Sequence, residues 1–477
     1  MAVLRTKFLE RDEEDLIHEQ SLKGLADIGV MIHSPSVLEM LQEAGADVDR
    51  RKEIARIPEG VVDEAIRKAP RRIRYHARDP KHDFEIPTES FPFAATNGLA
   101  MHIADLETGK DHPSTREDLA TFSRLADALD QVDYLWTSIT PSDVPKAAHG
   151  VHELWVTLQN TVKHVEEVTI QDAVDARMQI ALGALVAGGL EELRMRPIFS
   201  VIACPIAPLT FEKGAVEAQV EFAKAGVPVL SMSVSLGGMT SPVTLAGTLT
   251  NINMENLASL VIDQVAAPGS PHVYSSDSTP VNMQTGYVDY TAVETPLISA
   301  GAAQMARRYG LPCMTSGWGS SVTVPGLEAP FSELAGIALS VMSGTDLTAG
   351  MGGTDVAKGC SYEQLVIDAY MWENLRAFMR DFTISEETIA LEVTRSVGHG
   401  NTFLRHAHTT RNFRKELFFR DPKKLRWEAT LSDRMVPEAR EIAKRLLEEH
   451  EVPPLDRDVR RQGNALIREY ESRLVAS

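Results

Sequence analysis

Two hydrophobic periods alternate along most of this chain. Between Phe93 and Phe378, short apolar runs that read as strands trade places with longer stretches whose apolar residues recur every three to four positions, the spacing of one helix face. The predicted strands are Phe93–Asn97, Tyr134–Thr140, Lys163–Val168, Pro197–Ala203, Val227–Ser233, His272–Ser276, Pro312–Ser316 and Asp346–Gly350. The predicted helices are Arg116–Leu129, introduced by a capping box at Ser114 and Glu117, then Ala147–Gln159, Ala173–Val186, Ala215–Ala225, Leu245–Val265, Ala292–Arg308, Phe331–Met342 and Tyr362–Phe378. Eight such alternations predict an α/β protein built as a (β/α)8 barrel of the TIM type. A doubly wound sheet comes second, because no GxGxxG follows the first strand and no GxxxxGK[ST] occurs.

The flanks read differently. Residues 1–92 form a helical extension with short strands: Asp12 to about Pro70 is helical in pattern, and Arg71 to Pro92 holds short strands and turns. Residues 93–380 are the barrel core. Residues 381–477 return to charged, helical patterning and predict a C-terminal helical cap, with amphipathic helices at Pro437–His450 and Asp456–Leu474. The stretch Leu311–Gly353 organises the core, since the seventh strand is followed by an unusually long loop, Gly317 to Ala329, and long loops at the carboxyl ends of barrel strands carry chemistry.

Composition narrows the function. A net charge of -19 and a pI near 5.2 argue against nucleic acid or an anionic membrane as partner, because both reward clustered Lys and Arg. Cys204, Cys313 and Cys360 are few, odd in number and widely spaced, which fits a reducing, cytoplasmic setting and no cysteine zinc motif. No stretch of the chain is long and apolar enough to predict a membrane span, and the N-terminus lacks the apolar core of a signal peptide.

In a barrel the residues that matter lie at the strand ends: Thr96-Asn97-Gly98, Ser138 and Thr140, Glu167, Cys204-Pro205, Ser233 and Ser235, Ser275 to Ser278, Ser316 with Trp318, and Gly350 to Gly353. They are small, hydroxylic and aromatic. No His, Asp and Glu cluster at metal-ligand spacing and no strand-end Lys appears, which argues against a metal hydrolase and against Schiff-base chemistry. Lys163 begins a strand at its structural end. Several of these residues also have a plain structural reading. Asn97 before Gly98 reads first as a turn residue, Trp318 can cap the barrel although a Trp between two glycines in a polar loop is less easily explained as core, and Glu328 is equally a carboxylate at a helix N-terminus.

Four segments together carry a resemblance. SSDSTPVNMQTG (Ser275–Gly286), YGLP (Tyr309–Pro312), the loop TSGWGSSVTVPGLEA and GHGNTFL followed by His408-Thr409 make the chain similar to the trimethylamine methyltransferase family over nearly its whole length. The resemblance implies a TIM barrel that moves a methyl group from a methylated amine to the Co(I) corrinoid of a separate corrinoid protein. It therefore implies a cognate corrinoid protein as partner, cobalamin supplied by that partner with nothing tightly bound here, and a homo-oligomer. Founding members carry pyrrolysine in the loop after strand seven. Aligning that loop on its proline places Val324, next to Pro325, at the pyrrolysine position. The chain thus resembles the branch without pyrrolysine, the glycine betaine methyltransferases above all, which demethylate quaternary amines.

That departure has a chemical meaning. A quaternary ammonium is already cationic and leaves as a neutral tertiary amine, so no residue need serve as nucleophile or covalent helper; a dry site and in-line placement suffice. The resemblance makes Tyr274, Asp277, Trp318 and Glu328 candidates for holding the ammonium by aromatic faces and carboxylates, and Asn97 and Gln284 candidates for the carboxylate of a betaine. Glycine betaine is the favoured donor. Proline betaine, carnitine or a betaine-binding barrel without turnover are the alternatives.

Overall fold

A computed structural model describes residues 6–315, 318, 322–326, 328–380, 382–417 and 434–476. Its centre is a closed barrel of eight strands, Phe93–Thr96, Tyr134–Trp136, His164–Glu167, Phe199–Ala203, Val229–Ser233, His272–Ser276, Cys313–Thr315 and Leu347–Met351. Every neighbouring pair is parallel and the strands follow one another in sequence order. Strand eight pairs with strand one through Leu347↔Phe93, and strand one with strand two through Ala95↔Tyr134, so no edge is left open. All eight predicted strands are present within a few residues, and the eight predicted helices follow them, from Arg116–Ala128 to Tyr362–Phe378. The one local shift is the first cap. Thr115, not Ser114, caps helix Arg116–Ala128 in a reciprocal box with Asp118, because the Ser114 hydroxyl is committed to the carbonyls of Ala100 and Thr140.

Alternation along the strands sorts the side chains into two sets. Ala95, Tyr134, Ile202, Leu230, Met232, Val273, Met314, Leu347 and Ala349 fill the barrel, while Leu135, Val165, Val201, Val229 and Cys313 meet the helices outside. The amino-terminal end of the barrel is closed from below. A hairpin of Ile73–Tyr75 and Phe84–Ile86 pushes Tyr75 and Phe84 up against Phe93, Tyr134 and His164, with ring centroids 4.2–6.3 Å apart. Lys163 sits at this same end, buried, and its ammonium donates to the carbonyls of Ala126, Leu129 and Val132 at 2.7–3.0 Å, where the preceding helix ends. Burial lowers it to about 8. Its task is structural.

N-terminal to the barrel lie helices Arg11–Asp27, Pro35–Glu43 and Glu59–Lys68 and a small sheet whose strand Val30–Ile32 pairs with Thr210–Phe211 from the loop after barrel strand four. Beyond the barrel, helices Met435–Glu449 and Arg457–Ala476 return to pack on the barrel helices.

Candidate active site

The lumen opens at the carboxyl ends of the strands, and its floor is polar. Glu166, on the inward face of strand three, is fully buried and accepts from the indole N–H of Trp136 (2.7 Å) and from the Ser200 hydroxyl (2.9 Å). Ser200 also lies 2.9 Å from His164 Nε2, and His164 Nδ1 faces the His76 carbonyl at 2.7 Å. That carbonyl can only accept, so Nδ1 carries the proton and Nε2 is a lone pair. Burial keeps the imidazole neutral, lowering it to about 3. Ser200 has one proton and two acceptors waiting for it. A proton on Glu166 resolves the shortage, because the carboxyl then donates to Ser200 and Ser200 to His164. Burial, opposed by the two hydrogen bonds, raises Glu166 to about 7.

Trp136 is the aromatic face of this floor. Tyr134 and Trp136 share the inward side of strand two, and Trp136 is only partly buried, so its ring meets the open lumen. Gly98, in the loop after strand one, lies where a Cβ would come within 2.9 Å of the indole and 3.3 Å of Val168, so that loop can close over the ring only as glycine. On the opposite wall Asp277 accepts from the Tyr290 hydroxyl at 3.0 Å. Cys204 opens on the same space yet is crowded by protein. Burial first, then the charges of Asp277 and Glu255, push its thiol up to about 12, so it is no nucleophile. Burial and the Asp277 carboxylate also hold the Tyr290 phenol well above its ordinary range.

The backbone around the opening is strained. Seven non-glycine residues among those described have positive φ, and five of them, Leu99, Leu209, Asp355, Val356 and Ala357, lie in loops after strands one, four and eight. Strain of this kind persists where the surroundings over-determine the loop, and it gathers at functional sites. The strand-eight loop is tied to the strand-seven loop by Asp355 N–H donating to the Val322 carbonyl at 2.9 Å.

The expected site residues divide. Asn97 and Asp277 stand on the lumen side of their strands: Asn97 is buried, its backbone N–H donating to Met351 and its side chain to the Gly98 carbonyl. Val324 is exposed on the rim. Gln284 is at the tip of the loop after strand six and Glu328 opens helix Glu328–Ser343, both exposed. Tyr274 turns the other way. Val273 and Ser275 take the inward side of strand six, so Tyr274 lies among the helices and donates to Asn253 at 3.2 Å. Trp318 is 5 % exposed and packs in the apolar layer under helix Tyr362–Phe378, its ring 5.8 Å from that of Trp372 and its Cβ against Gly350, where an added Cβ would come within 2.4 Å of it. Ser316, Gly317 and Gly319 are outside the described residues.

Three lumen residues went unmarked in the sequence. Trp136 and Glu166 were within reach, since alternation from Tyr134 and from Val165 places both inward, and it is Glu166 and not Glu167 that faces the lumen. Tyr290 arrives from a loop, where no period exists to announce it. Among the described residues no three His, Cys, Asp or Glu side chains converge at metal-ligand spacing.

A family model described as trimethylamine methyltransferase matches residues 2–473. The trimethylamine methyltransferase of Desulfitobacterium hafniense (strain DSM 10664 / DCB-2) is 30% identical over 459 residues, covering 95% of this chain and 92% of that protein. The glycine betaine methyltransferase of Desulfitobacterium hafniense (strain Y51) is 26% identical over 428 residues, covering 89% and 86%. The crystal structure of the monomethylamine methyltransferase of Methanosarcina barkeri superposes with a TM-score of 0.52 over 94% of this chain and 88% of that one, at 13% identity, a likeness of fold.

Proposed function

The chain belongs to the trimethylamine methyltransferase family and is a methyltransferase, and on that premise we propose that its methyl donor is a quaternary amine, glycine betaine first, and its acceptor the Co(I) corrinoid of a separate protein. In the reaction one N–CH3 bond breaks, its electron pair stays on nitrogen, and dimethylglycine leaves as a neutral tertiary amine. Cobalt supplies the pair for the new bond. The barrel's part is to hold the ammonium, orient one methyl outward and keep water away.

The observation that carries this reading is the Trp136–Glu166 pair. A quaternary ammonium donates no ordinary hydrogen bond, so it is recognised by an aromatic face and by carboxylates near but not bonded to it. Trp136 offers the face, fixed by its own N–H to Glu166, and Asp277 offers a second carboxylate across the lumen. Aromatic faces suit the reaction better than a close ion pair, since the positive charge disappears in the transition state and an over-stabilised ground state slows transfer. Asn97 stands on the lumen side to donate to the betaine carboxylate. Val324 on the rim offers no electrophile, which restricts the site to donors already cationic. Leu99, Ile206, Met239, Met283 and Tyr287, all at least half exposed in the loops around the opening, form an apolar rim suited to a corrinoid protein.

The test is a panel of glycine betaine, proline betaine, carnitine and trimethylamine incubated with the enzyme and a Co(I) corrinoid protein while the cobalt spectrum is followed. Glycine betaine is expected to consume Co(I) with one equivalent of dimethylglycine released. Turnover of trimethylamine in its place would sink the assignment to quaternary donors.

A further inference from the structure

Helix Leu245–Ala266 packs on the barrel after strand five, yet the face it buries is not simply apolar. Asn251, Asn253, Glu255, Asn256, Asp263 and Gln264 are each no more than 5 % exposed. Groups of this kind are tolerated in a core only when hydrogen-bonded, and each of these is. Asp263 and Gln264 tie the helix to the closed end, Asp263 to His272 at 2.7 Å where strand six begins and Gln264 to the Ser270 carbonyl at 2.8 Å. Glu255 differs, because its partners belong to the mouth.

Glu255 Oε1 accepts from the Leu209 N–H (2.9 Å) and the Asn251 amide (3.0 Å), and Oε2 accepts from the Ser233 hydroxyl (2.5 Å). The Ser235 hydroxyl lies 3.2 Å from that of Ser233 and receives the Asn251 amide at 2.9 Å. Burial raises the Glu255 carboxyl above its ordinary range, and these hydrogen bonds oppose the rise.

Two parts of the mouth are fixed in this way. One is the loop after strand four. Leu209 has left-handed backbone, φ 54°, and is held from both sides, its N–H by Glu255 and its carbonyl by the Met31 N–H at 2.9 Å. The other is the end of strand six. The Ser233 carbonyl receives the Asp277 N–H (3.0 Å) and the Ser278 hydroxyl (3.1 Å), and Ser278 accepts in turn from the Ser235 N–H (2.8 Å) and the Ser276 hydroxyl (3.0 Å). Asp277 is thus anchored, through its own N–H and through its neighbour Ser278, to the two serines that meet Glu255.

We propose that Glu255 is a positioning residue for methyl transfer: through Ser233, Ser235 and Ser278 it sets where the Asp277 carboxylate stands against the nitrogen of the methyl donor. The inference rests on the reading that Asp277 lines the donor site. A quaternary nitrogen offers no hydrogen bond to orient it, so its place is decided by where the surrounding charges are held, and that demands a fixed backbone behind the carboxylate. The network also accounts for an acid at this point. Leu209 and Asn251 present fixed N–H donors to one oxygen, so a glutamine must turn its NH2 toward the serines, and the Ser233 hydroxyl then loses its acceptor.

Glu255→Gln, Asp277→Asn and the double variant form a double-mutant cycle on kcat/KM, run with whichever amine of the panel the enzyme turns over, so that the result stands apart from the identity of the donor. Each single variant is expected to lower kcat/KM roughly tenfold, chiefly through KM, because the donor is held before its nitrogen changes charge. In the double variant Glu255→Gln should cost less than about twofold beyond Asp277→Asn. Ser278→Ala leaves Glu255 intact and cuts the next link; it should show the same coupling to Asp277→Asn, so the answer does not hang on one variant's folding. Equal losses from Glu255→Gln with and without the Asp277 carboxylate would show a merely structural role and overturn the proposal. Unaltered kinetics in Glu255→Gln and Ser278→Ala would do the same. Unaltered kinetics in Asp277→Asn would overturn it and also remove Asp277 from the donor site. Coupling observed with trimethylamine alone as donor would uphold the positioning role while sinking the assignment to quaternary amines.

Discussion

The two ends of the barrel are built on opposite rules. At the closed end, Tyr75, Phe84, Phe93 and Tyr134 pack ring against ring, and Lys163 satisfies three carbonyls. At the open end, one indole is left partly bare, a buried carboxyl is held by that indole and a serine hydroxyl, and three consecutive residues, Asp355 to Ala357, adopt left-handed backbone. The same strands run between them. One end is optimised for packing, and the other gives up packing so that a ligand can complete it.

Breaking the closed end should give the largest effect. Phe84→Ala removes a ring stacked 4.2 Å from Phe93 and 5.0 Å from Tyr75. The expected cost is about 3–5 kcal/mol, read as a fall of roughly 3–5 °C in the midpoint of thermal unfolding, with methyl transfer per folded molecule near normal at low temperature. Loss of activity without loss of stability would erase the contrast between the ends.

Two tryptophans sharpen it next. Trp136→Ala is expected to lower kcat/KM for glycine betaine roughly 30-fold, the value of a desolvated cation–π contact of about 2 kcal/mol. Trp318→Ala should instead cost stability, about 3–5 kcal/mol, because its ring belongs to the layer beneath Trp372. Steady-state rates and unfolding curves of both variants decide it. A stable but inactive Trp318→Ala would return that ring to the site.

A titration follows. Glu166 is neutral below about pH 7 and ionised above it, and a cation over Trp136 favours the ionised form. Affinity for a quaternary ammonium should thus rise as pH is raised through 7, several-fold per unit at most, and the profile should flatten in Glu166→Gln. Calorimetric titration with glycine betaine between pH 6 and 8 measures it. The smallest effect belongs to Val324→Ala on the exposed rim: stability within about 0.5 kcal/mol, and activity with quaternary amines retained.

Sequence patterning is informative where a period exists and silent where it does not. Barrel strands are buried on both faces, so their apolar runs and the helices between them are legible to within a few residues. Facing was the harder matter. Glu167 as a strand-end residue and Tyr274 as a candidate from the resemblance both lie one step off the lumen-facing register, and a one-residue step exchanges lumen for helix layer. Trp318 looked exceptional between two glycines, yet Gly350 accounts for its setting by making room for it. Tyr290 reaches Asp277 across 13 residues of loop, a contact that only the folded chain defines.

The closure of strand eight on strand one also sets a clock for biosynthesis. Phe93 and Ala95 leave the ribosome early, but their partners on one side, Leu347 and Ala349, are made last among the strands. At about 5–20 residues per second the growing chain carries an open sheet edge for roughly 13–50 s. During that interval the aromatic hairpin 73–86, already made, is the one floor on which the early strands can settle. Until Leu347–Met351 has been made, strand Phe93–Thr96 lacks its partner on one side.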